Sequence, residues 1–413
     1  MRLWYALSRH PLNAESDLTP PPSGDLPKAL LYATSAGLGG SGLNTTSLQG
    51  ALASWRCGFL EEAICYPVKQ EEIPHQRIRT LQHHPVRFFS FLDSQDYYAV
   101  KKHYLDWQAA RRLKRGEFDF FHGWSGESFQ AMVQCRLSGI PSVMDIPTWH
   151  RNKGQSKPGE TLSERRERQN PARWWYFEKY RTVSRQQNLA EYDLADIILM
   201  PSRKSAETFL AAGMNEAKLH YVGRGVDIQQ YQPGEAPEVF RVAFVGALIE
   251  RKGVHLLLEA WKKLNLSNAE LVLVGSLHEE MKPYLKEFAS ENVKLTGSTN
   301  RVQDILKSCA AFAFPSECEG FAKATLEAAA CGLPLIGTRE SGDAIVHQVT
   351  GLQVEAGQVD QLAAALEYAA SHRDEMAVMG RNARKMVEEQ FTWDHYRLRL
   401  LNAYAKAHSM GRN

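Results

Sequence analysis

Two α/β domains, each built on a parallel sheet, are what this 413-residue sequence predicts, and three observations lead there. The length suits two or three domains of ordinary size. Short apolar runs recur at 28–36, 86–91, 117–121, 142–146, 196–200 and 218–222, then at 241–245, 270–274, 293–296, 311–314 and 333–336, with helical patterns between them. Strands that alternate with helices favour parallel sheets covered on both faces. Between the two series lies Tyr231-Gln232-Pro233-Gly234-Glu235-Ala236-Pro237, whose prolines and glycine read as a linker.

Residues 1–27 hold five of the 18 prolines and are expected to be an irregular leader. An N-terminal domain is expected over 28–230 and a C-terminal one over 231–393, with amphipathic segments at 255–264 and 361–370 between strands of the second. Residues 394–413 read as a last helix returning to the N-terminal domain. In such sheets ligands bind outside the carboxyl ends of the strands, and two facing domains make a cleft.

Composition narrows the function classes. Lys+Arg 49 against Asp+Glu 47 leaves a net charge of +2, which gives no case for a nucleic-acid partner. No uncharged apolar run approaches the ~18 residues of a membrane span, and the apolar stretch at the start is too short for a secretory signal. The six cysteines form no C-x-x-C pair, which suits a reducing cytoplasm and suggests no zinc site.

Three segments could carry chemistry. The turn Gly37-Leu38-Gly39-Gly40-Ser41-Gly42 follows a strand, and glycines there let backbone N–H groups approach a phosphate. A dinucleotide reading would use Glu61 or Glu62 as the acidic ribose partner. In the second domain a strand emerges at Gly246 into a loop with Arg251 and Lys252, a fork and a point charge that suit a diphosphate. Beyond Phe314 comes an acidic loop, Glu317-Cys318-Glu319-Gly320, and then a helix expected to start near Phe321 with Glu327 two turns on. Backbone amides at that helix start and a carboxylate on either side would suit a sugar nucleotide.

Glu319-Gly320-Phe321, Glu327-Ala328, Ala330, Gly332 and Pro334 form a pattern that resembles the E-x7-E signature of retaining glycosyltransferase family 4. The likeness spans roughly 28–405 and takes in Asp196, Gly225-Val226-Asp227, Arg251-Lys252-Gly253 and Val349-Thr350-Gly351. It implies the GT-B fold, two Rossmann-like parallel-sheet domains facing across a cleft. It implies that Glu319 contacts donor-sugar hydroxyls and Glu327 the ribose. Arg251 and Lys252 would neutralise the leaving diphosphate, helped by the backbone at Gly320, Phe321 and Ala322. Gly39 and Gly40 match the family's glycine loop near donor phosphate and acceptor, and His122 matches a strand-end histidine facing the sugar. The sequence departs from the pattern at Ala247, at Ala322-Lys323 and at Arg224.

The implied activity is retaining hexosyl transfer from a UDP- or GDP-sugar to a glycan, lipid-linked or small-molecule hydroxyl in envelope or exopolysaccharide synthesis. No D-x-D triplet occurs to hold a divalent cation, so neither metal nor cofactor is implied beyond the nucleotide-sugar co-substrate. Residues 151–185 carry ten Lys/Arg and four Glu around Trp174-Trp175-Tyr176-Phe177. Such a segment, within 149–187, would attract an anionic membrane surface or pack internally. The expected location is the cytoplasm, peripheral to the inner membrane face. A degenerate transferase acting as a sugar-binding or assembly subunit and an NAD-dependent oxidoreductase using the Gly37–Gly42 turn are the alternatives that the sequence leaves open.

Overall fold

The computed structural model describes residues 18–83, 85–91, 94–150, 186–235 and 237–411. It divides into two compact units. One runs to Pro201, resumes at Ala206–Val222 and includes Arg397–Asn413; the other is Ser202–Ser205 with Gly223–Tyr396.

The first unit holds a seven-stranded sheet of β1 (Leu30–Ala33), β2 (Leu60–Cys65), β3 (Ile78–Thr80), β4 (Phe120–Trp124), β5 (Ser142–Asp145), β6 (Ile197–Met200) and β7 (Leu219–Tyr221). All pairings are parallel, in the order β3-β2-β1-β4-β5-β6-β7. The order reverses between β1 and β4, so their carboxyl ends mark the ligand crevice of this unit. Strands such as Leu30–Ala33 and Ile197–Met200 are buried at every position because helices cover both faces. Those helices include α1 (Leu43–Arg56), α2 (Ser94–Leu113), α3 (Phe129–Ser138) and α4 (Arg203–Leu210).

The second unit repeats the plan with β8 (Phe240–Val245), β9 (Ala269–Val274), β10 (Val293–Gly297), β11 (Ala311–Phe314), β12 (Leu335–Thr338) and β13 (Gly351–Val354). Its order is β10-β9-β8-β11-β12-β13, again parallel, with the reversal between β8 and β11. Helices α5 (Val254–Leu264), α6 (Lys282–Phe288), α7 (Val302–Lys307), α8 (Lys323–Ala330), α9 (Val359–Ser371) and α10 (Arg373–Gln390) surround it. Phe244 and Phe314 stack at 5.0 Å across the two switch-point strands. The last helix, α11 (Trp393–Met410), counts with this unit through Tyr396 and with the first from Arg397 on.

Sequence and structure differ in a few places. The 86–91 run is no strand: Pro85–Phe89 form a 3-10 helix that buries Val86 and leaves Phe88 and Phe91 84% and 79% exposed. Strands β2, β3 and β13 escape an apolar search because β2 carries Glu61-Glu62, β3 is largely exposed and β13 opens on glycine.

The loop after β4 and the start of α3 hang on buried carboxylates. Asp106 accepts the N–H groups of Gln130 and Ala131 at 2.8 and 2.9 Å, and Glu191 those of Gly126 and Ser128 at 2.6 and 2.9 Å. Burial raises Asp106 to about 6 and Glu191 to about 8, outweighing the bonds that favour the charged form. The folded chain thus keeps a proton on Glu191 that the unfolded chain releases at about pH 4.3. This group's contribution to stability is complete below the unfolded value and is lost as pH rises through the folded one. Between about pH 5 and pH 8, Glu191→Gln should therefore gain on the wild type in melting temperature. A constant difference across that range would contradict the assignment.

Candidate functional site

The crevice of the second unit lies where β8 and β11 diverge, and glycines shape the loop after β8. Gly246 has φ +153°, and a Cβ there would come within 3.2 Å of Lys252 Nζ. Its absence lets Lys252 fold back over the strand end, 5.2 Å from the Phe314 ring centroid. Gly253 has φ +71°, and a Cβ there would meet the Pro315 carbonyl oxygen at 2.0 Å, so only glycine allows this approach. The approach is fastened by the Arg251 carbonyl, which accepts from Glu317 N–H at 3.0 Å and Ser316 Oγ at 3.1 Å.

Two cations then converge on one carboxylate oxygen. Arg251 Nη1 lies 2.8 Å and Lys252 Nζ 3.3 Å from Glu319 Oε1, and Arg251 Nη1 also donates to the Cys318 carbonyl. Glu319 is largely enclosed, at 14% side-chain exposure, while Arg251 is half-exposed. The turn after β12 supports the loop: Glu319 N–H donates to Glu340 O at 3.2 Å, Ser341 Oγ to Phe314 O at 2.7 Å, and Thr338 Oγ1 to Ser316 O at 2.5 Å. Sequence reasoning missed this turn, although the Thr338-Arg339-Glu340-Ser341-Gly342 string after an apolar strand was its signal.

Helix α8 begins at Lys323, two residues later than expected, because Ala322 is still extended, and its N–H is given to Ser341 O at 2.8 Å. That amide is not available to a phosphate, which corrects the expectation for Ala322. The buried Gly320 and Phe321 lead into the helix, with the Phe321 ring 5.8 Å from Phe391. No side chain caps the N-terminus; Thr325 N–H is given to Ala322 O at 2.9 Å, so the amides of Lys323 and Ala324 are the ones placed for an anion. Glu327 lies one turn on and is partly exposed. Burial raises its pKa, opposed by Lys323 and by a hydrogen bond from the Tyr231 hydroxyl. Lys323, itself lowered by burial, sits 5.4 Å from the Trp393 ring centroid. Tyr231 and Lys323 are the neighbours that the Glu319–Glu327 spacing could not show.

Gly39, Gly40 and His122 belong to the first unit. Gly39 has φ +90°, and a Cβ there would strike Lys69 O at 2.3 Å; Gly40 has φ +112° and is exposed. Chain packing alone thus explains Gly39, while Gly40 leaves an open backbone at the end of β1. Glu127 holds the start of this loop, accepting from Ser35 N–H at 2.7 Å and from the Ser35 hydroxyl. His122 is not at the strand mouth. It lies mid-strand with no exposed surface, its Nδ1 2.7 Å from the Tyr404 hydroxyl and its ring 4.6 Å from that of Tyr32. Burial lowers its pKa to about 3, so it is a neutral core histidine in this structure. The dinucleotide reading also loses its acid. Glu61 and Glu62 sit at the start of β2, not its carboxyl end, and pair with Arg77 at 2.6 Å and with Arg79 and Arg112 at 2.5 and 2.6 Å.

Among the described residues no group of three or more His, Cys, Asp or Glu is placed to hold a metal ion. No described helix is long and apolar enough to cross a membrane. The segment 151–185 lies outside the described residues.

Known proteins match along both halves. Residues 63–230 fit the family model described as Glycosyltransferase Family 4, and residues 227–386 that of Glycosyl transferases group 1. The chain is 30% identical to the capsular polysaccharide biosynthesis glycosyltransferase CapM of Staphylococcus aureus, over 37% of this chain and 42% of that protein. It is 26% identical to the MMP alpha-(1->4)-mannosyltransferase of Mycolicibacterium hassiacum, over 73% and 74%. It thus spans less than half of the first of these relatives and about three quarters of the second. Among solved structures, Anabaena Alr3699/HepE in complex with UDP-glucose superposes with a TM-score of 0.63 at 16% identity, covering 91% of this chain and 98% of that one. The chain carries the GT-B fold of glycosyltransferases, with a family-4-like first half.

The core assignment of His122 has a direct consequence. Tyr404→Phe leaves a buried imidazole nitrogen without its partner and should cost about 1–3 kcal/mol in thermal or denaturant unfolding. Unchanged stability would remove the structural role.

Proposed function

We propose that this chain, whose two halves match glycosyltransferase families on a GT-B fold, is a retaining hexosyltransferase. It moves a hexose-type sugar from a UDP- or GDP-sugar to a hydroxyl of a glycan, lipid-linked or small-molecule acceptor, in envelope or exopolysaccharide synthesis. One observation carries this reading: Arg251 and Lys252 meet at a single anionic oxygen where the second sheet reverses, with an uncapped helix start and Glu327 alongside. The relatives support the donor class, since one is a mannosyltransferase, one serves capsular polysaccharide and one binds UDP-glucose.

In this reading the donor diphosphate takes Arg251 and Lys252, Glu319 accepts sugar hydroxyls and Glu327 accepts from the ribose. The buried Gly320 and Phe321 bring the chain to the Lys323 and Ala324 amides that open α8, which face the phosphates. The bond from the anomeric carbon to the phosphate oxygen breaks while the acceptor oxygen bonds to the same face. The acceptor proton passes to the departing diphosphate. Negative charge grows on that leaving group, and two fixed cations placed there stabilise the transition state more than the ground state. They supply the electrostatic work that a divalent cation does in metal-dependent transferases. Gly40, at the open end of β1, is assigned to the acceptor side.

Lys252→Ala and Glu319→Ala should each lower turnover by about 10²–10³ with the true substrates. Thermal shift against UDP, GDP and ADP and their sugars identifies the donor, because a ligand that binds the folded state raises its melting temperature. Normal turnover in either variant defeats the assignment.

The acceptor side is read as facing an anionic membrane surface from the cytoplasm. The support lies in the first unit: Phe88, Phe89 and Phe91 are exposed beside Arg87. On α2 the exposed Trp107 stacks with Tyr104 at 5.9 Å and carries Arg111 at 5.4 Å. Aromatic side chains and cations on one segment suit the interface of anionic lipid. Vesicles with anionic lipid should float the protein in a salt-sensitive manner, and Phe88→Ser with Phe91→Ser should weaken this. Equal flotation with neutral vesicles would remove the membrane partner.

A further inference from the structure

We infer that Glu319 serves as the protein's own stand-in for the donor diphosphate, and that it thereby selects the intact sugar nucleotide over the free nucleoside diphosphate. The inference rests on the reading of Arg251 and Lys252 as the diphosphate site. Both cations reach the same atom, Oε1, at 2.8 and 3.3 Å. No hydrogen bond to Oε2 is found among the described residues. A carboxylate oxygen held between a guanidinium and an ammonium imitates one phosphate oxygen, so an arriving diphosphate competes with Glu319 for the same donors.

An intact donor and a free nucleoside diphosphate fare differently in that competition. Displaced from its cations, Glu319 is a mostly enclosed anion close to a second anion, and like charges a few ångströms apart repel strongly where water is scarce. An intact donor compensates this by presenting sugar hydroxyls, which donate charge-assisted hydrogen bonds to the freed carboxylate. A free nucleoside diphosphate brings no such donors. The carboxylate then returns to Arg251 and Lys252 and the product is released. One residue thus binds the sugar, weakens product retention and keeps the two cations paired when the crevice is empty. The fastening of the loops limits how far the cations can move aside, since the Arg251 carbonyl is held by Glu317 N–H and Ser316 Oγ.

The test is calorimetric titration of the full chain with UDP, GDP and ADP, for wild type, Glu319→Gln, Glu319→Ala and Lys252→Ala. Two Glu319 variants are used so that one folding failure does not decide the matter, and circular dichroism checks each. The expected result is that the nucleotide which binds does so about tenfold more tightly to both Glu319 variants, a difference of ~1.4 kcal/mol. Lys252→Ala should weaken it. If Lys252→Ala weakens the nucleotide while both Glu319 variants bind it equally or less well than wild type, the stand-in role is overturned and the diphosphate site stands. If Lys252→Ala changes nothing, or no nucleotide binds any form, the diphosphate site itself is wrong and the inference falls with it.

Discussion

The candidate site of the second unit depends on one main-chain contact, the Arg251 carbonyl that accepts from Glu317 N–H and Ser316 Oγ. It ties the loop after β8 to the loop after β11, the two strands between which the sheet order reverses. Gly253 makes the contact sterically possible, and the turn after β12 braces it through Thr338 and Ser341. Once the two loops are fastened, the side chains of Arg251, Lys252 and Glu319 have little choice but to meet. The ion pairs themselves are weak supports, since Arg251 is half-exposed and the desolvation of Lys252 and Glu319 offsets much of their attraction. The scaffold holds the charges; the charges do not hold the scaffold.

Charge is distributed accordingly. A whole-chain balance of +2 hides a crevice where two cations share one carboxylate. In the first unit Asp106, Glu127 and Glu191 are among the acids that are buried instead. They shape loops: Asp106 and Glu191 take backbone N–H groups around β4, and Glu127 takes Ser35 at the end of β1. Burying such groups is tolerable because each is given hydrogen bonds, and burial shifts Asp106 and Glu191 toward the neutral form.

How much of this was legible in the sequence depended on how local the determinant is. The placement of Glu319, Glu327 and the Arg251-Lys252 pair in the segments beyond β11 and β8 was readable because strand, loop and helix follow one another within short segments. The parallel strands were readable where both faces are buried, as in Ile197–Met200, and unreadable at Ile78–Thr80, which lies at an edge and is largely exposed. His122 could not be read locally. Whether a mid-strand histidine faces solvent or core is decided by Tyr404, 282 residues away. Likewise Ala322 looked free to bind phosphate until Ser341, from a turn beyond the next strand, took its N–H. The aromatic run at 86–91 misled in the opposite sense: apolar content suggested a strand, yet the segment is a 3-10 helix that offers three phenylalanines to solvent.

The most direct measurement is a crystal structure of the chain with a nucleoside diphosphate sugar or its product bound. The account predicts the diphosphate within hydrogen-bond distance of Arg251 and Lys252, the ribose hydroxyls on Glu327, and Glu319 turned away from its two cations. A nucleotide seated on the Gly39-Gly40 loop, with the Arg251–Glu319 and Lys252–Glu319 pairs intact, would contradict it.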